Sequence, residues 1–454
     1  MTLLWAESAL LPGGWAENVR VEIDDAGRIA AVTPGAAPEG ERRSILLPAP
    51  VNLHSHAFQR ALAGLTEARG PDASDSFWTW RRLMYRFLDR LGPDEIEIIA
   101  AFVQMQMAEA GYAAVAEFHY IHNAQGGAPY DDRAELSARI AAAAARSGLG
   151  LTLLPVFYQY GGCDRRALAA GQDRFHTTPE TFADLHAGAA RALAALPADT
   201  RLGIAPHSLR AADPEGLAAV LPLAAEAPIH IHVAEQQAEV EELLAHRGAR
   251  PVEWLLANAP VDARWCLIHA TQMLPAETLA LAASGAVAGL CPITESSLGD
   301  GIFDGTRFLG AGGRIGIGSD SNIRISLSEE LRTLEYSQRL RDRGRAVLAA
   351  PGRSTGRRLW DEIAQGGAQA AGRASGAIAP GLWADLVALD GTSLDLAGLG
   401  GDTVLDSFAF QGDDRLVSDL WSAGRHLVHD GRHTAREPIT AAYRRLVTRL
   451  RSTL

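Results

Sequence analysis

Between residues 45 and 321 the chain alternates short apolar runs with longer segments of helical character, and eight such runs can be counted. They span 45–56, 113–120, 149–158, 202–208, 228–235, 265–270, 286–292 and 314–321. Strands that alternate with helices form βα units and a parallel sheet, and eight units is the number that closes a barrel. The expected fold class is therefore α/β, a (β/α)8 TIM-like barrel over residues 47–375.

Helix-start signals punctuate the intervening segments, as in Thr178-Pro179-Glu180-Thr181 before 182–196 and Asp213-Pro214-Glu215 before 216–225. The first crossover, 57–111, is long and carries Phe77-Trp78-Thr79-Trp80-Arg81; such an insertion over a barrel mouth suits a lid or substrate wall. Residues 1–46 and 376–433 read instead as short strands with turns at Pro12-Gly13-Gly14 and Asp24-Asp25-Ala26-Gly27. The two ends are expected to pair into one small composite β-sandwich beside the barrel. Residues 434–454 read as an Arg-rich amphipathic helix that docks on its own domain or on a dimer partner.

Side chains at the carboxyl ends of barrel strands converge on one mouth. His54 and His56 close the first run with one residue between them, and alternation along a strand puts i and i+2 on one face. His232, His269 and Asp320 close the fifth, sixth and eighth runs. Metal ligands His54, His56, His232 and Asp320 would make a mixed N/O site for a single Zn²⁺, with Fe²⁺ accepting the same donors. His230 shares a face with His232, so one of the two is structural; His232 lies nearer the strand end and is preferred. A metal of this kind lowers the pKa of bound water to about 7. His269 and Asp320 would then hold or accept the water's proton, and Glu235 would carry a proton to a substrate nitrogen. The plainer reading of Glu235 is an acidic residue in a first helical turn, and His207, ending the fourth run, reads equally well as a core histidine. His176, His186, His246, His426, His429 and His433 read as surface residues without a role.

All 42 basic residues are arginine, which excludes a Schiff-base lysine, a phosphate-loop lysine and a carboxylated lysine bridging two metals. The 54 acidic residues give a net charge of -12, which repels a phosphate backbone and argues against a nucleic-acid partner. Three cysteines without a CxxC spacing suggest free thiols in a reducing compartment, and the expected location is cytoplasmic. The N-terminus lacks a basic region, and no run approaches the roughly 18 apolar residues of a membrane span. Phe408-Ala409-Phe410 and the terminal helix are compatible with a homodimer.

The pattern resembles the amidohydrolase superfamily: His-x-His after strand one, His after strands five and six, Asp after strand eight, and a β-domain built from both ends. Strand four ends Ala205-Pro206-His207-Ser208-Leu209-Arg210, where bimetallic relatives carry a bridging residue, so the resemblance implies the single-metal deaminase type. Within it, His54-Ser55-His56-Ala57-Phe58-Gln59-Arg60-Ala61, the Phe77–Arg81 stretch, Glu117-Phe118-His119-Tyr120 and Gly299-Asp300-Gly301-Ile302-Phe303 are similar to the formimidoylglutamate deiminases of histidine degradation. That resemblance implies hydrolysis of N-formimino-L-glutamate to N-formyl-L-glutamate and ammonia, with Gln59, Arg81, Tyr120, His207 and Arg210 binding the two carboxylates of a small dianionic, amino-acid-derived substrate. Arginine forks match carboxylates bidentately, which fits that assignment. Two departures from the family pattern are Pro48-Ala49-Pro50 before the His-x-His and Arg324 shortly after Asp320. The rival readings are a deaminase of a cyclic amidine and a scaffold that has lost its chemistry.

Overall fold

The computed structural model describes residues 1–67, 84, 85 and 87–452. Residues 2–48 and 386–433 supply one eight-stranded sheet, β1 (Thr2–Leu11), β2 (Gly14–Ile23), β3 (Ile29–Thr33) and β4 (Glu41–Pro48) from one end, β14 (Leu386–Leu389), β15 (Val417–Ser422), β16 (Arg425–His429) and β17 (Arg432–His433) from the other. Its order is β17-β16-β15-β14-β4-β1-β2-β3, and the ends meet where β14 runs antiparallel to β4, Leu386 opposite Pro48 and Leu389 opposite Ile45. Leu4, Val19, Val21, Ile23, Leu46, Leu386 and Trp421 form a separate buried cluster on this sheet.

The barrel strands are β5 (Val51–Ser55), β6 (Ala114–His119), β7 (Gly150–Phe157), β8 (Arg201–Leu202) with β9 (Ala205–Pro206), β10 (Ile229–Val233), β11 (Trp265–His269), β12 (Val287–Leu290) and β13 (Arg314–Ile317). Their near-continuous burial is that of a parallel sheet covered on both faces. The first apolar run is not one strand: Pro48-Ala49-Pro50 divides it, so that 45–48 belong to the end sheet and only 51–55 to the barrel. Two prolines remove the main-chain donors that a single strand would need there. Strand four is likewise two short pieces, joined to strand five by single bridges, Ile204 to Ile229 and Ser208 to His232. One further bridge, Ser55 to Asp320, closes strand eight onto strand one.

Helix ends follow the sequence signals. Thr178, Asp213, Ser326 and Ser354 cap their helices by accepting from a backbone N–H three residues on, and Gly148, Gly248, Gly285 and Gly299 end theirs in the left-handed conformation. One helix, Asp402–Phe410, lies within the stretch read as strands; its buried Val404, Leu405 and Phe408 have helical spacing. Phe408 and Ala409 are buried inside the chain, so their apolar character is used within the protomer. The terminal helix, Arg436–Arg451, packs on the helix Pro93–Glu109 of the barrel, where Tyr443 stacks on Phe102 with ring centroids 3.8 Å apart. No helix among the described residues is long and apolar enough to cross a membrane.

Barrel and sheet are joined by a buried ion network. Arg373 donates Nε to Asp385 Oδ2 at 2.6 Å and a second N–H to Oδ1 at 2.8 Å, while its remaining nitrogen pairs with Asp199 at 2.8 Å. Asp199 also receives both Arg425 terminal nitrogens at 2.8 Å. Burial by itself would raise the Asp199 pKa, but Arg425 and Arg373 outweigh it and hold the carboxyl below its ordinary value. Arg373→Met leaves two buried carboxylates without their shared cation, and is expected to lower the unfolding free energy by about 3–5 kcal/mol in urea titrations. A carboxyl depressed in the folded state stabilises above its unfolded pKa of about 3.9 and loses that contribution as pH falls through the folded value. Unfolding titrations should therefore show stability falling below about pH 4, with a shallower fall in the Arg373→Met variant.

Candidate active site

The barrel ladder thins at two seams, and both carry site residues. Ser208 bridges His232 at one; Ser55 bridges Asp320 at the other, where the His56 N–H donates to Asp320 O and the Asp320 N–H donates to His54 O, each at 2.9 Å. The side chains of His54, His56, His232 and Asp320 converge in the barrel mouth, buried, with one potential ligand atom from each lying within 4.8 Å of the others. His54 Nε2 is 3.1 Å from His232 Nε2, and Asp320 Oδ1 is 3.4 Å from His54 Nε2 and 3.2 Å from His56 Nε2. Atoms bound at 2.0–2.2 Å to one tetrahedral centre lie about 3.3–3.6 Å apart, so the spacing suits one ion.

The protonation pattern suits it too. His56 Nδ1 is 2.9 Å from the Phe118 carbonyl and His232 Nδ1 is 3.1 Å from that of His207. A carbonyl can only accept, so each Nδ1 carries the proton and each Nε2 offers a lone pair to the centre. Burial lowers the pKa of His54 to about 3 and depresses those of His56 and His232, leaving neutral imidazoles, the form that ligates. Three neutral imidazoles and one carboxylate thus fit a borderline transition metal.

A buried polar latch holds strand one against strand eight. Asn52 donates from its side chain to Ser319 Oγ at 2.7 Å and accepts from the Ser319 N–H at 3.1 Å; Ser319 Oγ donates to Asn322 Oδ1 at 2.6 Å; Asn322 Nδ2 donates to Ser55 Oγ at 3.1 Å. Glu117 accepts the Ala57 N–H at 2.7 Å just after the histidine pair. Burial pushes its carboxyl up to about 7 despite that bond. His269 (φ 69°), Asp320 (φ 46°) and Asn322 (φ 54°) have left-handed backbone, which costs about 1–2 kcal/mol per non-glycine residue and turns these chain segments sharply at the mouth. Gly318 lets the seam close: a Cβ there would sit 2.7 Å from His54 Cβ and 2.8 Å from His54 N.

Beside the cluster lies an acid-base group. His269 Nδ1 faces Glu295 Oε1 at 3.2 Å, and its Nε2 lies 3.8 Å from both Glu235 Oε1 and Asp320 Oδ2. Burial alone would lower the His269 pKa; Glu235, Glu295 and Asp320 override it and raise it to about 10. Burial raises the pKa of Glu235, against the pull of His269 and of Arg210, whose guanidinium lies 3.7 Å from Glu235 Oε2. Glu235 precedes the helix Gln237–Arg247, and the Glu239 carboxylate accepts the Ala234 and Glu235 N–H groups at 3.2 and 3.0 Å, fixing the turn.

These groups open onto a cavity whose lining includes Gln59, Tyr120, His207 and Arg210 together with His56, His232, Glu235, His269 and Asp320. Gln59 Nε2 donates to the Tyr120 hydroxyl at 2.7 Å, while Gln59 Oε1 is buried with no partner among the described residues. Arg210 is 8% exposed, and its Nε has no acceptor among them. Arg81 lies outside the described residues. Arg324 pairs with Glu329 and does not line this cavity.

His230 is the structural member of its pair, its Nε2 2.8 Å from the Ala370 carbonyl. His433, read as a surface residue, is 3% exposed and sits 2.8 Å from the Ser147 carbonyl. Sequence reasoning missed Glu295, because an acid in the first turn after Pro292 looks like an ordinary helix start. It also missed Asn52, whose signal was a lone amide inside an apolar strand. His232→Ala is expected to leave under about a tenth of the metal of the parent protein after dialysis, and Gly318→Ala to weaken metal affinity about tenfold or more by displacing His54. Both effects are measured by metal analysis, with circular dichroism reporting the fold.

Comparison with known proteins extends the geometry. Residues 45–427 match the amidohydrolase family, and residues 1–44 match the N-terminal domain of formimidoylglutamate deiminase HutF. The chain is 50% identical over 447 residues to the formimidoylglutamate deiminase of Pseudomonas aeruginosa, covering 98% of both. It is 26% identical to the 5-methylthioadenosine/S-adenosylhomocysteine deaminase of Natronomonas pharaonis, covering 81% of this chain and 78% of that one. Among solved structures, an amidohydrolase from Brucella melitensis superposes with a TM-score of 0.95 at 48% identity, covering 99% of this chain and 100% of the other. An adenosine deaminase from Xanthomonas campestris with bound zinc shares the fold, with a TM-score of 0.80 at 22% identity over 99% and 98% of the two chains. With its barrel matched over nearly its whole length and its ligand-type residues gathered at one mouth, the chain belongs to the amidohydrolase family.

Proposed function

We propose that this chain is a cytoplasmic metal-dependent hydrolase that converts N-formimino-L-glutamate and water to N-formyl-L-glutamate and ammonia. The observation that carries the reading is a cavity lined by a metal-type cluster, an acid-base pair and a buried arginine whose Nε has no acceptor among the described residues. A substrate with an amidine at one end and carboxylates at the other fits that polarity, and the 50% identical relative bears the corresponding name. Three free cysteines, two of them buried, support the reducing location.

His54, His56, His232 and Asp320 would hold one Zn²⁺, the ion bound in the more distant Xanthomonas structure, with Fe²⁺ the alternative. When bound, such an ion supplies Lewis acidity and makes hydroxide available near neutral pH. The chain's own groups do the rest. Asp320 takes the proton released as the water oxygen adds to the formimino carbon, and His269, held in its protonated form by the carboxylates around it, exchanges a proton with Asp320 through Nε2. Glu235, kept protonatable by burial, gives one proton to the imino nitrogen as the oxygen adds. The remaining hydroxyl proton then passes to the same nitrogen, the carbon-nitrogen bond breaks with loss of ammonia, a formyl C=O forms, and the proton held by Asp320 restores Glu235. Glu295 fixes His269 through Nδ1, leaving Nε2 for that exchange.

Arg210, His207, Tyr120 and Gln59, which line the same cavity, would receive the carboxylates, with Arg81 a further ligand. The dianion thus meets local positive charge inside a chain of net charge -12. A flat neutral purine has no use for Arg210, which disfavours the cyclic-amidine alternative. Ammonia release assayed on N-formimino-L-glutamate, adenosine and guanine decides between them: turnover of a purine alone would overturn the proposal. Glu235→Gln is expected to lower kcat about 10²–10⁴-fold with little change in KM. Arg210→Met should raise KM by about one to two orders of magnitude, since it removes a charge-assisted pair to the substrate.

A further inference from the structure

Arg174 follows strand three and is 0% exposed; Nε and one terminal nitrogen of its guanidinium donate to main-chain carbonyl oxygens, while the other terminal nitrogen has no hydrogen-bond partner among the described residues. Nε donates to Asn123 O at 2.9 Å; one terminal nitrogen donates to Leu88 O at 2.5 Å and to Leu91 O at 2.9 Å. Its own carbonyl accepts the His122 and Asn123 N–H groups at 2.8 and 3.0 Å, and the Asn123 side chain donates to Asp173 O and His176 O at 3.1 Å. A single buried cation therefore clips together the middle of the first crossover (just before the helix Pro93–Glu109), the loop after strand two and the loop after strand three.

Each clipped segment carries part of one cavity wall. Met84 and Tyr85 precede Leu88 on the crossover; Tyr120 precedes Asn123; Phe175 adjoins Arg174. Phe175 is also where the wall meets itself, its ring centroid 4.7 Å from Tyr120, 5.6 Å from Tyr158 and 6.0 Å from Tyr85. Burying an unpaired guanidinium is costly, and an apolar residue of similar volume would fill the space without that cost. What the apolar residue cannot do is tie three separate loops by directed bonds. Arg174 lies off the cavity lining, so it acts only through the residues that it fixes.

We propose that Arg174 is a positioning residue that sets the Met84–Tyr85–Tyr120–Phe175 wall against which the substrate is bound. Its kinetic arm rests on the deiminase reading above; its exchange arm does not. Arg174→Met in the full-length metal-loaded enzyme is expected to raise KM for N-formimino-L-glutamate about tenfold while kcat stays within about threefold and metal content is unchanged. Backbone hydrogen exchange should accelerate at residues 87–92 and 121–124 and not across β10 to β13. Arg174→Lys, which keeps the charge but not the fork, should fall between the two and serves where the methionine variant fails to fold. An unchanged KM, a loss of kcat in step with folded fraction, or unaltered exchange in these segments overturns the proposal. If the parent enzyme does not turn over N-formimino-L-glutamate, the functional reading fails and the exchange result alone decides the clip.

Discussion

The closure of strand eight onto strand one governs everything at the mouth of this barrel. Regular pairing does not close it: a single bridge between Ser55 and Asp320 does, reinforced by Asn52, Ser319 and Asn322. Because His54, His56 and Asp320 lie on either side of that seam, the bonds that complete the barrel also set the spacing of three of the four ligand-type side chains. Buried amide and hydroxyl groups are tolerated there because they satisfy one another, and a fully connected network resists sliding of one strand past its neighbour.

Around the seam the protein divides charge across a short distance. Desolvation keeps the three ligand-type histidines neutral, while a ring of carboxylates keeps His269 protonated beside them. Arg210 also lines the cavity, close enough to Glu235 to influence it, and its Nε has no acceptor among the described residues. Low polarity in the barrel interior makes each of these interactions stronger than at the surface, which is why so few groups suffice.

Much of this was legible in residue order. Eight apolar runs announced the barrel, and the ligand-type residues at their ends required only the rule that strand ends share one face. The paired tails were visible as strand patterns at both termini. Other features were hidden because their local signals were ordinary. Pro48-Ala49-Pro50 split an apparently continuous run between two sheets, and only the pairing of β4 with β14 shows where the break falls. Glu295 looked like any acidic first-turn residue, and Arg174 like any loop arginine, since carbonyl partners leave no mark in sequence.

The sequence by itself determined the kind of chemistry available: imidazoles and carboxylates at strand ends, arginine as the sole long cation, and no lysine to bridge a second metal. Tertiary structure alone decided which of His230 and His232 faces the mouth, which carboxylate steadies His269, and how far apart the ligand-type atoms stand. The physical reason is range. Periodicity fixes which face of a strand a residue occupies, but a distance of 3 Å between residues nearly 180 positions apart depends on how the whole barrel closes.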